Sequence, residues 1–347
     1  MPVPRGRVPG IGQNENCRNA VGSMLSIRVR IQPMSELAEP GAVLMLGKPV
    51  ADAIEAWLRP AVSGYLERHK LAPTLAIVLA GADPASERYV RKKIEACRRL
   101  GMRAELRQFP DDISVDGLRN EVAELSRSPA FHGVLVQLPL PPHIEEHNAA
   151  AANKFDIFDA ITAEKDVDGV ARDAVASLYR AQQERMLMMP GTALAVRRMM
   201  AFYQVRTEGR QAVVVGRNDI TSKPILHMLG GRMCDAAAIW CHRHVAPEDQ
   251  RRLIREADIL VTAVGSGGYR ITADMVKPGV AVFDIATRID DSGLIHGDVD
   301  FDGVRQVASF LTPVPRGVGP VTVAALCENL FRAARFAVGE GQPGYRF

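Results

Sequence analysis

The chain has 347 residues, which is long enough for two domains of ordinary size, each with a hydrophobic core. Hydrophobic residues make up 47% and charged residues 24% of it, and these fractions exclude a disordered or collagen-like chain. A formal net charge of +3 is too small to indicate nucleic-acid binding. No apolar run reaches the roughly 20 residues of a membrane helix, so the sequence predicts a soluble protein.

Residues 1–43 differ in composition from the rest of the chain. They are rich in proline, glycine and arginine and show no sustained periodicity. Such a segment buries too little apolar surface to offset its chain entropy. Three interpretations stay open: a disordered extension, a start codon placed upstream of Met34 or Met45, and an arginine-rich organelle transit peptide.

In the first half of the chain, helical and strand patterns alternate from about residue 46. Helices are predicted over residues 51–69 and 89–100, and strands over residues 74–80, 103–109 and 133–138. Strand, helix and strand in this order indicate a parallel sheet with crossover helices.

The second half repeats this alternation at shorter intervals. Strands are predicted over residues 212–215, 237–241, 259–264 and 280–284, with residues 225–229 in a helix. A run of such units is typical of a doubly wound domain, in which ligands bind beyond the carboxyl ends of the strands. A last long helix over residues 321–338 is expected to pack outside this run.

The predicted helix 89–100 carries the first candidate for chemistry. Tyr89 and Lys93 are four residues apart and share a face at the edge of the apolar stripe. A phenol beside an amine at a burial boundary suits a cleft. The alternative is that Lys93 only extends along its own helix into solvent.

Four other segments place polar groups or glycines where a ligand could bind. Gln137 stands at the end of a predicted strand that prolines terminate, and residues 165–169 offer two carboxylates in a turn. Residues 216–224 connect a strand to a helix, the setting in which a helix N-terminus binds a dinucleotide phosphate. Residues 312–322 form a proline-stiffened loop whose glycines let the backbone approach a ligand.

The cysteines give no comparable signal. The five of them form no CxxC pair, so we expect free thiols in a reducing compartment, the cytoplasm. Cys241 lies beside His242 and His244, but no second group of ligands completes a zinc site, and we predict no metal.

Together these segments resemble the methylenetetrahydrofolate dehydrogenase/cyclohydrolase family of folate one-carbon metabolism. The matching stretches follow the family order over about residues 44–340; they are 81–86, 89–93, 133–141, 165–169, 216–217, 297–301 and 312–322. The resemblance implies an α/β fold of two domains: a parallel-sheet folate-binding catalytic domain (44–187 and 316–347) and a Rossmann-like NAD(P)-binding domain (188–315).

The resemblance also implies roles for individual residues. The residue that matches Lys93 is the principal catalytic residue of the family, Gln137 tunes its amine, and Tyr89 lines the folate site. Asp168 binds the pterin. Further matches on the substrate side are Pro313, Gly317 and Gly319, and those on the cofactor side are Gly216, Arg217, Asn218, Arg243 and Thr287.

The implied function is bifunctional. NADP, rather than the less favoured NAD, would oxidise 5,10-methylenetetrahydrofolate to 5,10-methenyltetrahydrofolate, and hydrolysis would give 10-formyltetrahydrofolate. The resemblance further implies a cytoplasmic homodimer that serves purine biosynthesis, with no nucleic-acid or membrane partner. Hydrolysis needs a proton acceptor near neutrality, which a lysine becomes when burial and neighbouring cations lower its pKa. Four cations are near in sequence: Arg91, Lys92, Arg98 and Arg99.

Departures from the family pattern concentrate at the cofactor end. Ser222 stands where the family has glycine and is expected to crowd the pyrophosphate, Arg243 stands where it has serine, and residues 284–288 differ beside the nicotinamide. Two alternatives therefore stay open: a divergent paralogue with hydrolysis but weak or altered dehydrogenation, and a non-catalytic folate- or nucleotide-binding protein. An oxidoreductase acting on an unrelated substrate would leave the folate-side stretches unexplained.

Overall fold

Two parallel sheets organise the chain in its computed structural model. The structure describes residues 41–150, 157–180, 186, 188–265, 269–290, 293–341 and 345. Residues 1–40 of the predicted extension lie outside this range, whereas Ala42 is buried and Val43 already belongs to a strand. Across the described ranges, no helix has the length and apolar character that crossing a membrane requires.

The first sheet has three parallel strands in the order β3-β2-β4. These are β2 (Thr74–Ala80), β3 (Arg103–Phe109) and β4 (Gly133–Val136). All seven residues of the central strand β2 are buried, as expected of a strand covered on both faces, whereas the side chains of the edge strand β3 are mostly exposed. The predicted strands β2 and β3 are confirmed, and β4 ends two residues earlier than predicted.

The helices before and between these strands are α1 (Gly47–His69), α2 (Pro84–Arg99) and α3 (Val115–Arg127). Helix α2 begins five residues before the predicted start because Asp83 caps it. The Asp83 carboxylate accepts a hydrogen bond from the Ser86 N–H at 2.8 Å, and Pro84 occupies the first turn.

The second sheet has six parallel strands in the order β1-β11-β8-β7-β5-β6. Its members are β1 (Val43–Leu44), β5 (Gln211–Val215), β6 (Ala237–Cys241), β7 (Ile259–Thr262), β8 (Ala281–Asp284) and β11 (Phe310–Leu311). Strand β6 lies on one side of β5 and β7 on the other, which is the reversal of strand order that defines a doubly wound sheet. The predicted doubly wound fold is confirmed.

The remaining helices are α4 (Pro142–Ala150), α5 (Arg172–Tyr179), α6 (Gly191–Phe202), α7 (Ser222–Gly230), α8 (Pro247–Glu256), α9 (Phe301–Arg305) and α10 (Val318–Ala337). A short antiparallel pair, β9 (Arg288–Ile289) and β10 (Ile295–His296), lies outside both sheets. Helix α10 packs against α1, α2 and α6 and also contacts β2 and β4. The last helix therefore returns to the first sheet, outside the six-stranded one, as predicted.

Candidate active site

A buried amine and a buried amide meet where α2 passes the end of β4. Lys93 Nζ donates to Gln137 Oε1 at 2.9 Å, and each residue is 8% exposed. Gln137 Nε2 in turn donates to the Leu138 carbonyl at 2.6 Å, which turns the amide oxygen toward the lysine. The alternative in which Lys93 extends along its helix into solvent is therefore wrong.

Burial is what perturbs this lysine. Loss of solvent lowers the pKa of Lys93, and the nearby Asp168 carboxylate partly opposes that shift by favouring the ammonium form. The predicted contribution of the sequence-adjacent cations is wrong, because Arg91, Lys92, Arg98 and Arg99 are all exposed and none of them shifts this pKa.

Tyr89 joins the amine to the start of α10. Its ring centroid is 5.3 Å from Lys93 Nζ, and its hydroxyl lies 3.0 Å from Thr322 Oγ1. Thr322 Oγ1 donates to the Gly319 carbonyl at 2.7 Å, so its single proton is used and Tyr89 is the donor to Thr322. Burial, followed by the negative charge of Asp168, raises the pKa of Tyr89 and keeps the phenol protonated.

The two carboxylates of the turn at residues 165–169 have different surroundings. Asp166 is fully buried and accepts hydrogen bonds from the N–H groups of Gly169 (2.9 Å) and Ala171 (2.8 Å), and burial raises its pKa to about 6. Asp168 is partly exposed and close enough to act electrostatically on both Lys93 and Tyr89. Asp166 thus shapes the turn, and Asp168 faces the amine and the phenol.

The structure separates the three predicted substrate residues of the loop at 312–322. Gly319 is exposed, and a Cβ placed on it would lie 3.8 Å from the Tyr89 hydroxyl. Pro313 and Gly317 are buried, and the Gly317 carbonyl occupies the space that a Cβ on Gly47 would need. Gly319 therefore borders the Tyr89 hydroxyl, whereas Gly317 packs against the first turn of α1.

A second site opens beyond the carboxyl ends of β5, β7 and β8, at the reversal of strand order. A pocket there is lined by Asn218, Thr221, Ala263, Val264, Gly265, Ile285 and Ala286. Gly216 closes β5 with a φ of +142°, and a Cβ on it would lie 2.8 Å from the Ala263 carbonyl, so the backbone must pass without a side chain. The position matches that at which doubly wound sheets bind nucleotides.

The loop between β5 and α7 is held by its own side chains. Asn218 Oδ1 accepts from the N–H groups of Ile220 (2.8 Å) and Thr221 (3.0 Å). Ser222 is fully buried with its Oγ directed at Gly216, and it does not line the pocket. The Ser222 side chain is therefore directed at the Gly216 backbone, and whether it crowds a bound pyrophosphate stays a prediction.

Two arginines follow the carboxyl ends of the neighbouring strands β5 and β6. Val215 of β5 pairs with Cys241 of β6, and Arg217 and Arg243 each follow two residues later, both exposed. Arg243 Nε donates to His244 Nε2 at 3.2 Å. Thr287, the last predicted cofactor residue, is exposed directly after the pocket residues Ile285 and Ala286.

Sequence reasoning missed two supports of this pocket. Trp240 Nε1 donates to the Gly216 carbonyl at 2.6 Å, and no local pattern signals that contact. Asp298, which is 1% exposed, accepts from Thr262 Oγ1 (2.6 Å) and from the N–H groups of Val264 (2.8 Å) and Gly265 (3.0 Å). The stretch 297–301 that carried part of the resemblance thus fixes the backbone lining the pocket.

The thiol beside the two imidazoles turns away from them. Cys241 is fully buried, which raises its thiol pKa, whereas His242 is partly exposed and His244 exposed. In the part of the chain that the structure describes, no group of three His, Cys, Asp or Glu side chains is placed to hold a metal ion.

Comparison with known proteins agrees with the presence of two sites, one around Lys93 and Gln137 and one beyond the ends of β5, β7 and β8. Residues 45–168 match the family model of the tetrahydrofolate dehydrogenase/cyclohydrolase catalytic domain, and residues 190–338 match that of the NAD(P)-binding domain. The chain belongs to the tetrahydrofolate dehydrogenase/cyclohydrolase family. The predicted family and the predicted two-domain α/β fold, catalytic and Rossmann-like, are both confirmed.

Relatives within the tetrahydrofolate dehydrogenase/cyclohydrolase family align over most of their length. The chain is 42% identical over 262 residues to the bifunctional protein FolD of Paraburkholderia phytofirmans, which covers 76% of this chain and 86% of the relative. It is 39% identical over 305 residues to a mitochondrial bifunctional methylenetetrahydrofolate dehydrogenase/cyclohydrolase of Drosophila melanogaster. That alignment covers 85% of this chain and 95% of the relative. The structure of the methylenetetrahydrofolate dehydrogenase-cyclohydrolase of Trypanosoma brucei, complexed with NADP cofactor and inhibitor, superposes with a TM-score of 0.77 at 34% identity. The superposition covers 86% of this chain and 99% of that one.

Proposed function

We propose that the chain oxidises 5,10-methylenetetrahydrofolate with NADP and hydrolyses the resulting 5,10-methenyltetrahydrofolate to 10-formyltetrahydrofolate. The observation that carries the proposal is the buried Lys93–Gln137 pair, because a desolvated amine held by an uncharged amide is a base usable near neutrality. The non-catalytic alternative gives no reason for this arrangement.

In the hydrolytic step, a water oxygen adds to the cationic methenyl carbon and one water proton must leave. Neutral Lys93 accepts that proton at Nζ. Gln137 Oε1 accepts a hydrogen bond from Nζ and so orients the lone pair of the amine without adding a charge that would hold it protonated. The ammonium group then returns this proton to the ring nitrogen whose bond to the carbon breaks, which regenerates the base. As that bond breaks, the second proton of the water leaves the new hydroxyl for solvent and the formyl C=O forms, so hydrolysis releases one proton in total.

Substrate binding is assigned to the groups around this amine. Asp168 would accept hydrogen bonds from the edge of the pterin, and the Tyr89 ring would line the folate site. Of the loop residues Pro313, Gly317 and Gly319, the last has the best structural support, since it borders the Tyr89 hydroxyl.

The pocket beyond β5, β7 and β8 fits a dinucleotide. Its Gly216 turn, the Asn218-shaped loop and the small residues at 263 and 286 give the backbone close access to a phosphate or a nicotinamide ring. NADP, when bound, supplies the acceptor for the hydride of the methylene group. Thr287 would contact it beside the pocket.

Cofactor choice is assigned to the two exposed guanidinium groups at the ends of β5 and β6. Arg217 and Arg243 would bind the 2′-phosphate through charged hydrogen bonds. After β6 the chain reads His242, Arg243 and His244, so no carboxylate suited to a free ribose hydroxyl occupies those positions.

For the domains, we propose a folate-binding catalytic unit over 44–187 and 316–347 and an NAD(P)-binding unit over 188–315. The packing of α10 on α1 and α2 supports the returning segment. Leu44 is an exception, because the strand to which it belongs, β1, pairs with β11 in the second sheet. From the sequence and its resemblance we also propose a cytoplasmic homodimer that serves purine biosynthesis, with no nucleic-acid or membrane partner.

One assay on the purified full chain tests the proposal. Reduced nicotinamide and methenyltetrahydrofolate are followed by their separate absorbances after methylenetetrahydrofolate is mixed with NADP, and hydrolysis is followed again from methenyltetrahydrofolate alone. We expect both reactions. Hydrolysis without nicotinamide reduction would identify the divergent paralogue, and folate binding without either reaction would identify the non-catalytic alternative.

A further inference from the structure

Tyr345, which follows α10 in sequence, is buried against that helix although most of its sequence neighbours lie outside the described residues. Its side chain is 3% exposed, and the Arg332 guanidinium lies 3.9 Å from its ring centroid. The Tyr345 hydroxyl donates to Asn329 Oδ1 at 2.5 Å and accepts from the Met189 N–H at 2.8 Å. The Tyr345 hydroxyl thus connects helix α10 to Met189, which lies in the segment that precedes α6.

Asn329 completes a closed ring of hydrogen bonds. It is fully buried on α10, and its Nδ2 donates both to the Met189 carbonyl (2.9 Å) and to the Val167 carbonyl (2.8 Å). Tyr345, Asn329 and Met189 therefore bond one another in a cycle, and the last proton of the amide reaches Val167. The hydroxyl of Tyr345 fixes which way the Asn329 amide faces.

Val167 and Met189 belong to the two segments that hold Asp168. Val167 precedes it directly, and the Gly191 N–H donates to the Asp168 carbonyl at 3.0 Å. The segments touch, since a Cβ on Gly169 would lie 2.6 Å from the Pro190 nitrogen. Within the described ranges, no side chain or N–H group donates to the Asp168 carboxylate, so its position depends on the backbone on either side.

We propose that Tyr345 is a positioning residue for folate binding: through Asn329 and Val167, its hydroxyl holds the backbone that places the Asp168 carboxylate against the pterin. This inference rests on the proposed role of Asp168. Tyr345 touches neither substrate nor cofactor in this assignment, and it acts only on where Asp168 stands.

The test is Tyr345→Phe in the full-length enzyme, which keeps the ring against Arg332 and removes the hydrogen bonds of the hydroxyl to Asn329 and Met189. We expect KM for methenyltetrahydrofolate to rise about 3- to 10-fold, the change that loss of the one neutral hydrogen bond to Asn329, through which Tyr345 is proposed to act, corresponds to. We expect kcat within twofold of wild type and an unchanged NADP dissociation constant. Tyr179→Phe is the matched control, because Tyr179 is 71% exposed.

A double-mutant cycle with Asp168→Ala separates positioning from general stabilisation. If Tyr345 acts through Asp168, Tyr345→Phe raises KM in wild type and adds nothing once Asp168 is alanine. An unchanged KM in Tyr345→Phe, a parallel loss of kcat and NADP affinity, or equal effects in both backgrounds would each overturn the inference. If Asp168→Ala itself leaves the folate dissociation constant unchanged, the proposed role of Asp168 fails as well, which distinguishes the two failures.

Discussion

At the residue scale, the reactivity assigned to Lys93 depends on its position in the protein interior. We expect Lys93→Met to lower the rate of methenyl hydrolysis about 100- to 10,000-fold, the range that a positioned proton acceptor supplies. Lys93→Arg should lower this rate to the same extent, because a guanidinium keeps its proton at accessible pH and cannot act as the base. The rate is measured by methenyl absorbance, with Lys92→Met as control, since that neighbour on the same helix is exposed. Hydrolysis at the wild-type rate in folded Lys93→Met would exclude the amine as the base.

Ser222 gives a second test at this scale, because its hydroxyl is buried and has no hydrogen-bond partner in the described structure. Replacing it removes a polar group that gains nothing in the folded state, so Ser222→Ala should keep or raise thermal stability and leave NADP affinity within twofold. Asn218→Ala is the contrast, since it loses two hydrogen bonds to backbone and should weaken the cofactor loop. A several-fold gain in NADP affinity for Ser222→Ala would show instead that the Ser222 side chain crowds the bound cofactor.

At the element scale, the pairing of β5 with β6 places Arg217 and Arg243 at one edge of the sheet. Both cations are expected to meet the 2′-phosphate, which NAD lacks. Arg217→Ala should therefore lower the ratio of NADP to NAD specificity at least about tenfold, because charged hydrogen bonds of this kind are among the stronger ones. The ratio of kcat/KM for the two cofactors is measured, with Arg251→Ala on α8 as control. A wild-type preference for NAD, or an unchanged ratio in Arg217→Ala, would refute the assignment.

The same scale shows why some elements were predictable from sequence and others were not. Strands β2, β3 and β6 have the predicted bounds because each has a local pattern that is typical of a strand: β2 and β6 are contiguous apolar runs, and β3 alternates between apolar and polar residues. The two-residue strands β1 and β11 carry no such pattern, and they exist because Val43 and Ala281 flank Phe310 across long sequence separations. Pairing of that kind is a tertiary effect that local propensity does not encode.

At the scale of the whole molecule, some features of the candidate site were also predictable from the sequence and others were not. Tyr89 and Lys93 were predictable because helical spacing places them on one face. How deeply Lys93 is buried was not, because helix α10, which packs against α2, lies more than 200 residues further along the chain. The bond between Asn329 and Met189 likewise spans 140 residues and has no local signature.

The free energy of unfolding should depend on pH through the titration of a buried carboxyl group, that of Asp284. Asp284 is 3% exposed, and burial, reinforced by Asp298, raises its pKa to about 7 although the N–H groups of Ala286, Asp298 and Val299 oppose the shift. Its ordinary value is 3.8, so the folded state holds a proton that the unfolded chain releases between about pH 4 and 7. The stability that this proton contributes is present below about pH 4 and lost as the pH rises through 7.

Asp284→Asn should remove that pH dependence. A shift of about three pH units corresponds to roughly 4 kcal/mol, so the difference in free energy of unfolding between wild type and Asp284→Asn should fall by as much as this amount from pH 4 to 7.5. Chemical denaturation across this range measures the difference, and Asp302→Asn, at an exposed position on α9, is the control. The other buried carboxyl with a raised pKa, Asp166, is unchanged in both proteins, so its contribution cancels in the difference. A difference that stays constant with pH would mean that Asp284 is ionised in the folded protein and that its three N–H donors outweigh its burial.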